Sequence, residues 1–313
     1  MARRLARLAG AAVAAPVALC ASQMFYARAK FVLAPDASGP LSGVAEADTP
    51  QSFFSWLRAP AARRRRNIVF MGDSIVTGVG CSAEASRDLG PILPRRVAQI
   101  VAQQLGEDVG WRALGETGAD VNIMRQQLLP SLQEAAAGAR DAGQSIDAVV
   151  ILTGLNDIKE CFLFAKPLSH HPHAFGRNLA ALLGSICDAA GEPVAVLVAG
   201  TPFDAVPRFT TMWPLSVAIR WTVSVWEDQK RLACTLANIA VQSTGAAGGG
   251  SSGGGGGFGS SGGGSANAIR FIEPPPSMVR RRLEPAKDRA PLAWATRVHA
   301  PREIGRASCR ERV

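Results

Sequence analysis

Short apolar segments alternate along this chain with longer segments in which apolar residues recur at helical spacing. Strands are predicted at 67–71, 111–114, 147–152, 193–199 and 268–272, and helices at 90–105, 120–139, 175–190 and 215–241. The near-continuous apolar character of 193–199 is typical of a strand that is buried on both faces. Strands that alternate with helices predict a parallel sheet covered by helices on both sides. We therefore expect an α/β protein, a three-layer α/β/α sandwich with a flavodoxin-like parallel sheet.

Three consecutive predicted strands end in turns that are able to carry chemistry. The first runs into a Gly-Asp-Ser turn that contains Ser74, the second ends at Gly115, and the third runs into a Gly-x-Asn-Asp turn that contains Asn156. An open α/β sheet holds its reactive groups outside the carboxyl ends of its strands, and in a parallel sheet these ends share one edge. We therefore expect Ser74, Gly115 and Asn156 to lie close together.

In this order the three turns resemble the SGNH (GDSL-type) hydrolase family, and the resemblance spans roughly residues 67–244. It implies that Ser74 is a nucleophile for ester hydrolysis by acyl transfer. It also implies an oxyanion hole formed by the backbone N–H groups of Ser74 and Gly115 and by the side-chain amide of Asn156. Asp73 and Asp157 are interpreted as residues that brace these turns. The resemblance implies a small-molecule, lipid or carbohydrate ester as substrate, and no cofactor is expected.

The last sequence block of this family, Asp-x-x-His, is missing from the chain. A serine hydroxyl needs a general base within hydrogen-bond reach, and the nearest match to the block is Thr296-x-x-His299. His299 would be the base, with a threonine at the position of the acid that orients the imidazole. The sequence also leaves open an O-acyltransferase on the same fold, and a non-catalytic protein that binds carbonyl or anionic groups.

The charge pattern argues against nucleic-acid binding, although the net charge is +9. The predicted core, 67–244, contains 13 Lys and Arg against 17 Asp and Glu, so it carries −4 and the flanking segments carry +13. A nucleic-acid-binding domain is expected to carry its basic patch on the folded core.

Metal and nucleotide sites are not expected either. The six cysteines show no paired spacing, and His170, His171 and His173 are predicted to lie in an ordinary polar loop. A loose Gly78-x-Gly80 pattern lies too far beyond its strand for a dinucleotide site.

The flanking segments are predicted to be separate from the core. Residues 1–29, with three early arginines and an apolar run, are predicted to be a signal peptide, a signal anchor or a transit segment. We expect the secretory pathway or membrane association through this segment, with an organelle (mitochondrion or plastid) as the alternative. The other segments are predicted to be a linker (30–66) ending in the solvated basic run 63–66, a Gly/Ser-rich linker or insertion (245–266), a fifth strand with the degenerate last block (267–302), and a non-native tail (303–313).

Overall fold

The computed structural model describes residues 2–30, 34–47, 65–80, 89–163, 170–191, 193–201, 211–247 and 267–273. The chain divides into two units, Met1–Pro274 and Pro275–Val313, and all described residues belong to the first.

A six-stranded sheet forms the centre of the described part of the chain. Its strands are β1 Ser42–Ala45, β2 Arg65–Gly72, β3 Asp108–Gly115, β4 Ala148–Leu152, β5 Ala195–Ala199 and β6 Ala268–Ile272. They lie in the order β1-β3-β2-β4-β5-β6. β1 is antiparallel to β3, and all other neighbouring strands are parallel. The parallel part has the flavodoxin-like order, so the predicted fold class is confirmed.

Helices connect successive strands and cover both faces of the sheet. They are α1 Ala2–Lys30, α2 Ser74–Thr77, α3 Ile92–Leu105, α4 Val121–Ile123, a π-helical turn Met124–Leu128, α5 Leu129–Asp141, α6 Leu155–Leu163, α7 Pro172–Ala190 and α8 Leu215–Ala247. The four predicted helices are present. The π-helical turn, in which Leu129 N–H donates to the Met124 carbonyl, is absent from the sequence prediction. A single wide turn leaves the spacing of apolar residues almost unchanged, so periodicity does not reveal it.

The core divides into two clusters because side chains alternate between the two faces of each strand. On one face, Met71, Val149 and Val196 pack among buried residues of α5, α7 and α8. On the other face, Ile68 and Phe70 pack against α2, α3 and β1. The three layers that the sequence predicts follow from this burial of both faces.

Strand β1 lies inside the segment that the sequence predicts to be a linker, so 30–66 is not a linker throughout. The Gly43 backbone packs directly against the Trp111 ring. A Cβ at position 43 would lie only 3.0 Å from the indole nitrogen, so a side chain there would crowd the ring. Ala113 N–H also donates to the Leu41 carbonyl at 2.7 Å. Four residues are too few to show a period of two, which explains the missed strand.

The basic run 63–66 is not only a solvated segment in front of β2, because its last two residues belong to the strand. Arg66 belongs to β2, and its half-buried guanidinium binds Glu107 at 2.8 Å and Asp147 at 3.0 Å. Both carboxylates raise the pKa of Arg66. These ion pairs tie the beginning of β2 to residues that precede β3 and β4.

The predictions for the segments before and after the core can be compared with the structure only in part. Helix α1 occupies most of the predicted leader segment, and none of the helices among the described residues is long and apolar enough to cross a membrane. Helix α8 continues to Ala247, beyond the predicted end of the core at residue 244. The predicted strand 268–272 is β6. Residues 248–266 and 274–313, which include the rest of the Gly/Ser-rich segment, the degenerate last block and the tail, lie outside the described residues.

Candidate active site

The register of three neighbouring strands brings the predicted turns to one edge of the sheet. Gly72, the last residue of β2, pairs with Gly115 at the end of β3 and with Leu152 at the end of β4. Ser74 follows Gly72 by two residues, and Asn156 follows Leu152 by four. The structure therefore places Ser74, Gly115 and Asn156 after adjacent strands, all at the carboxyl edge.

Ser74 is the first residue of the short helix α2, and Asp73 caps that helix. The Asp73 Oδ1 atom accepts a hydrogen bond from Ile75 N–H at 3.0 Å, which is the usual bond of an N-cap residue. Asp73 is buried, whereas Ser74 is partly exposed. Burial raises the pKa of Asp73, and the nearby ammonium groups of Lys230 and Lys159 oppose that rise. The cap thus holds the serine at the rim while its own carboxylate faces inward.

Two glycines allow α2 to lie directly on the ends of the strands. A Cβ at Gly115 would lie 2.8 Å from Thr77 Cγ2 and 3.0 Å from Thr77 N in α2. A Cβ at Gly72 would lie 2.5 Å from the Leu152 carbonyl oxygen. Real Cβ contacts are longer than these, so any side chain at either position would displace the turn that carries Ser74.

The carboxamide of Asn156 is buried and fixed from both of its ends. Its Nδ2 atom donates to the Ala119 carbonyl at 3.0 Å and to Asp73 Oδ2 at 3.4 Å. Its Oδ1 atom accepts from Lys159 Nζ at 2.8 Å. The bond to Asp73 is longer than ordinary N–H···O bonds of about 2.7–3.2 Å and is therefore the weakest of the three. The N–H group that faces Asp73 is consequently the one best placed to take another acceptor.

Asp157 lies behind Asn156 and is almost fully buried. Its Oδ1 atom accepts a hydrogen bond from Val121 N–H at 3.3 Å, while Oδ2 has no hydrogen-bond partner among the described residues. Burial raises the pKa of Asp157 from 3.8 to about 7, and the neighbouring Asp120 carboxylate adds to the rise. This hydrogen bond joins Asp157 to the first residue of α4. No sequence signal indicates the raised pKa, because burial cannot be read from one polar residue in a turn.

A buried Asp120–His170 pair lies next to this carboxylate. His170 Nε2 lies 2.9 Å from Asp120 Oδ2, and Asp120 Oδ1 accepts hydrogen bonds from Asn122 N–H and Ile123 N–H at the start of α4. The prediction of an ordinary polar loop is therefore wrong for the buried His170, and also for His173, which lies in the first turn of α7. His171 caps α7 through its Nδ1 atom, and His173 is exposed. Among the described residues no group of three or more His, Cys, Asp or Glu side chains is arranged to hold a metal ion.

A fully buried lysine joins α8 to the same edge of the sheet. Lys230 is 0% exposed, and its ammonium donates to the Ala199 carbonyl at 3.2 Å, to Thr201 Oγ1 at 2.8 Å and to Glu227 Oε1 at 2.8 Å. Its Cε atom would lie 3.0 Å from a Cβ at Gly154, in the loop before Asn156. Burial lowers the pKa of Lys230, and the Glu227 carboxylate opposes this.

Residues 70–241 match the family model described as GDSL-like lipase/acylhydrolase. The chain belongs to this family. No curated protein matches its sequence. The solved structures that it is similar to include LAE5, an alpha/beta hydrolase enzyme from the metagenome of Lake Arreo, Spain, at 15% identity over 55% of this chain and 74% of that one, with a TM-score of 0.34. Another is Axe2, an acetylxylan esterase from Geobacillus stearothermophilus, at 14% identity over 54% and 73% of the two chains, with a TM-score of 0.32.

The base that the SGNH resemblance implies, His299, lies outside the described residues, as does Thr296. Sequence reasoning missed four charged or polar groups at the edge, namely Asp120, His170, Glu227 and Lys230. For two of them a signal was present. Glu227 and Lys230 fall on the apolar stripe of α8 beside Trp226 and Ala233, and charged residues at core positions three apart indicate a buried ion pair.

Replacement of Asp157 by asparagine is expected to remove a pH dependence of stability. The folded state holds the Asp157 proton more tightly than the unfolded state, so this group's stabilising contribution is present below about pH 4 and is lost as the pH rises through 7. A pKa raised from 3.8 to about 7 corresponds to a contribution of about 4 kcal/mol to the free energy of unfolding. The introduced asparagine would keep an acceptor for Val121 N–H without titrating.

Urea denaturation at pH 5 and pH 8 should therefore show a smaller loss of stability in Asp157→Asn than in wild type. The exposed Asp188 provides the control, since Asp188→Asn should lose as much stability between the two pH values as wild type does. Equal losses in all three proteins would contradict the assignment.

Replacement of Lys230 by methionine is expected to cost about 3–5 kcal/mol of unfolding free energy, because it leaves the Glu227 carboxylate buried without its cation. The adjacent Arg231 provides a matched control. Its guanidinium pairs with Asp228 and Glu273 in a more exposed setting, so Arg231→Met should cost less than about 1 kcal/mol. Chemical denaturation followed by circular dichroism measures both losses. If Lys230→Met loses no more unfolding free energy than Arg231→Met, the buried Lys230–Glu227 pair does not stabilise the carboxyl edge of the sheet.

Proposed function

We propose that the protein hydrolyses ester bonds by acyl transfer through Ser74. The observation that carries the proposal is the pairing of Gly72 with both Gly115 and Leu152, which sets the three turns side by side at one edge. Membership of the GDSL-like lipase/acylhydrolase family supports ester chemistry at this edge.

In the proposed reaction Ser74 Oγ attacks the ester carbonyl carbon and transfers its proton to a base. The carbonyl π electrons move to oxygen and form a tetrahedral oxyanion. Collapse of this intermediate breaks the bond to the alcohol, which leaves with the proton returned by the base. Water then attacks the acyl-enzyme by the same route and releases the acid and the free serine.

Asn156 is proposed to stabilise the oxyanion together with the backbone N–H groups of Ser74 and Gly115. The Asn156 N–H group that faces Asp73 makes a bond of 3.4 Å, which a developing negative charge would outcompete. The bonds to Ala119 and Lys159 hold the carboxamide plane in place, so little reorganisation is needed when charge develops.

His299 is proposed to be the base. Thr296 would accept a hydrogen bond from the imidazole but would supply no charge to stabilise the imidazolium form. This threonine is the observation that favours the second candidate, a non-catalytic protein that uses the same edge to bind carbonyl or anionic groups. The two candidates differ in turnover, since both bind but only one releases an acid and an alcohol.

Ser74→Ala is expected to abolish hydrolysis of a short-chain nitrophenyl ester by the purified full chain. Asn156→Ala should lower kcat by about 10²–10³, because it removes one oxyanion donor. Ser243→Ala, which changes an exposed serine of α8, is the control and should retain wild-type kcat. Release of nitrophenolate measured by absorbance tests all three. Full activity of Ser74→Ala would exclude this serine as nucleophile, and absence of turnover in wild type would favour the binding protein.

A further inference from the structure

Asp73 places a buried negative charge beside the proposed oxyanion hole. It is 2% exposed, and both of its carboxylate oxygens accept hydrogen bonds, one from Ile75 N–H at 3.0 Å and one from Asn156 Nδ2 at 3.4 Å. The second of these N–H groups is the one that the oxyanion is proposed to take. An anion so close opposes the development of another negative charge, because like charges repel strongly where water is excluded. A nearby cation would offset this repulsion.

Lys159 supplies a positive charge at this position. It follows Asn156 by three residues in α6, so the two side chains lie on one face of the helix. Its half-buried ammonium donates to Asn156 Oδ1 at 2.8 Å. Burial raises the pKa of Asp73, and the positive charges of Lys230 and Lys159 both oppose that rise. Lys159 therefore acts electrostatically on Asp73 as well as contacting Asn156 directly.

The two lysines near this carboxylate differ in how their charge is used. Lys230 donates to three protein groups, one of which is the Glu227 carboxylate, so its N–H groups and its charge are already matched. Within the described part of the chain Lys159 forms no ion pair, and its one hydrogen-bond partner is Asn156. The charge of Lys159 thus remains available to a group that becomes negative beside it.

The ammonium of Lys159 also decides which way round the Asn156 carboxamide lies. An ammonium can only donate and therefore contacts Oδ1, whereas the Ala119 carbonyl and the ionised Asp73 carboxylate can only accept and therefore contact Nδ2. A bond to Oδ1 polarises the amide, which strengthens its N–H groups as donors. Without Lys159, Oδ1 would lose the only protein donor that it has among the described residues.

We propose that Lys159 is a positioning residue for ester hydrolysis, which it promotes by turning an Asn156 N–H group towards the oxyanion and by offsetting the adjacent Asp73 carboxylate. The inference rests on the proposed function, in which Ser74 attacks the ester and Asn156 stabilises the oxyanion. The carbonyl oxygen of the bound ester is neutral, and full negative charge develops on it only as the tetrahedral intermediate forms. Lys159 should therefore affect kcat and leave KM nearly unchanged.

Replacement of Lys159 by methionine in the full chain tests the inference, since it removes both the charge and the donor and keeps a side chain of similar length. Hydrolysis of a short-chain nitrophenyl ester should show kcat lowered about tenfold to a hundredfold, which is less than the loss of an oxyanion donor itself. KM should stay within about twofold of the wild-type value. Lys159→Arg keeps the charge and should retain most of the activity. Arg140→Met, which removes an exposed cation from the last turn of α5, is the control and should retain wild-type kcat.

A double-mutant cycle separates action through Asn156 from a general effect on the fold. In the Asn156→Ala background the carboxamide is absent, so Lys159→Met should lower kcat by a clearly smaller factor than in the wild-type background. Lys159→Gln keeps a hydrogen-bond donor without the charge, and its kcat should lie between those of wild type and Lys159→Met. Urea denaturation checks that each variant is folded, and Lys159→Gln takes the place of the methionine variant in the cycle if that variant does not fold.

Wild-type kcat in Lys159→Met would overturn the inference and leave the proposed function standing, since Ser74→Ala would still be inactive. A loss of the same size in both backgrounds would also overturn it, because Lys159 would then act independently of Asn156. A raised KM with unchanged kcat would do so too, since it would make Lys159 a contact of the bound substrate. Absence of turnover in wild type would contradict the inference and the proposed function together.

Discussion

The pairing of β2 with β3 on one side and with β4 on the other is the constraint on which the candidate site depends. Gly72 lies between Gly115 and Leu152, and none of the three can slip without moving the others. A shift of one residue in either pair would turn the apolar face of a strand towards the wrong layer. Burial of both faces therefore fixes the positions of three polar turns that contribute little to the core themselves.

The glycines at this edge extend the same constraint to the serine. Helix α2 lies so close to Gly115 that a methyl group there would contact the Thr77 backbone, and Gly72 meets the Leu152 carbonyl. Lys230 approaches Gly154 in a similar way from α8. At each turn a glycine thus leaves room for a neighbouring group to come close. The conformation of the turn depends on that glycine as well as on the polar residues nearby.

Behind the turns lies a set of buried charges that would be costly if they were unpaired. Asp73, Asp157 and Glu227 are all buried, and each of these carboxylates attracts the ammonium of Lys230. Beside them the buried Asp120 carboxylate makes a hydrogen bond with the His170 imidazole. Such networks add little net stability compared with apolar packing, but they define one arrangement of the groups that they join. The rigid placement of Asn156 between Ala119 and Lys159 is part of this network.

The elements that the sequence predicts correctly are those whose signals are local and strong. Strands β5 and β6 correspond to short apolar runs close to proline and glycine, and α8 corresponds to a long apolar stripe. Strand β1 is missed because it is only four residues long and is stabilised by β3, which is distant in the sequence. The site turns are predictable from their order, whereas His170 and Asp120 meet only through the tertiary fold, 50 residues apart. The raised pKa of Asp157 likewise depends on burial by residues that no local pattern identifies.

The most direct test of an activated serine at this edge is covalent labelling of the full chain with a fluorophosphonate, followed by fragmentation mass spectrometry of the tryptic peptide 67–87. That peptide contains three serines, Ser74, Ser82 and Ser86, so fragmentation must locate the adduct. One phosphonyl group on Ser74, absent from Ser74→Ala, is the predicted result. An unmodified peptide, or an adduct on another serine that persists in Ser74→Ala, would contradict the account.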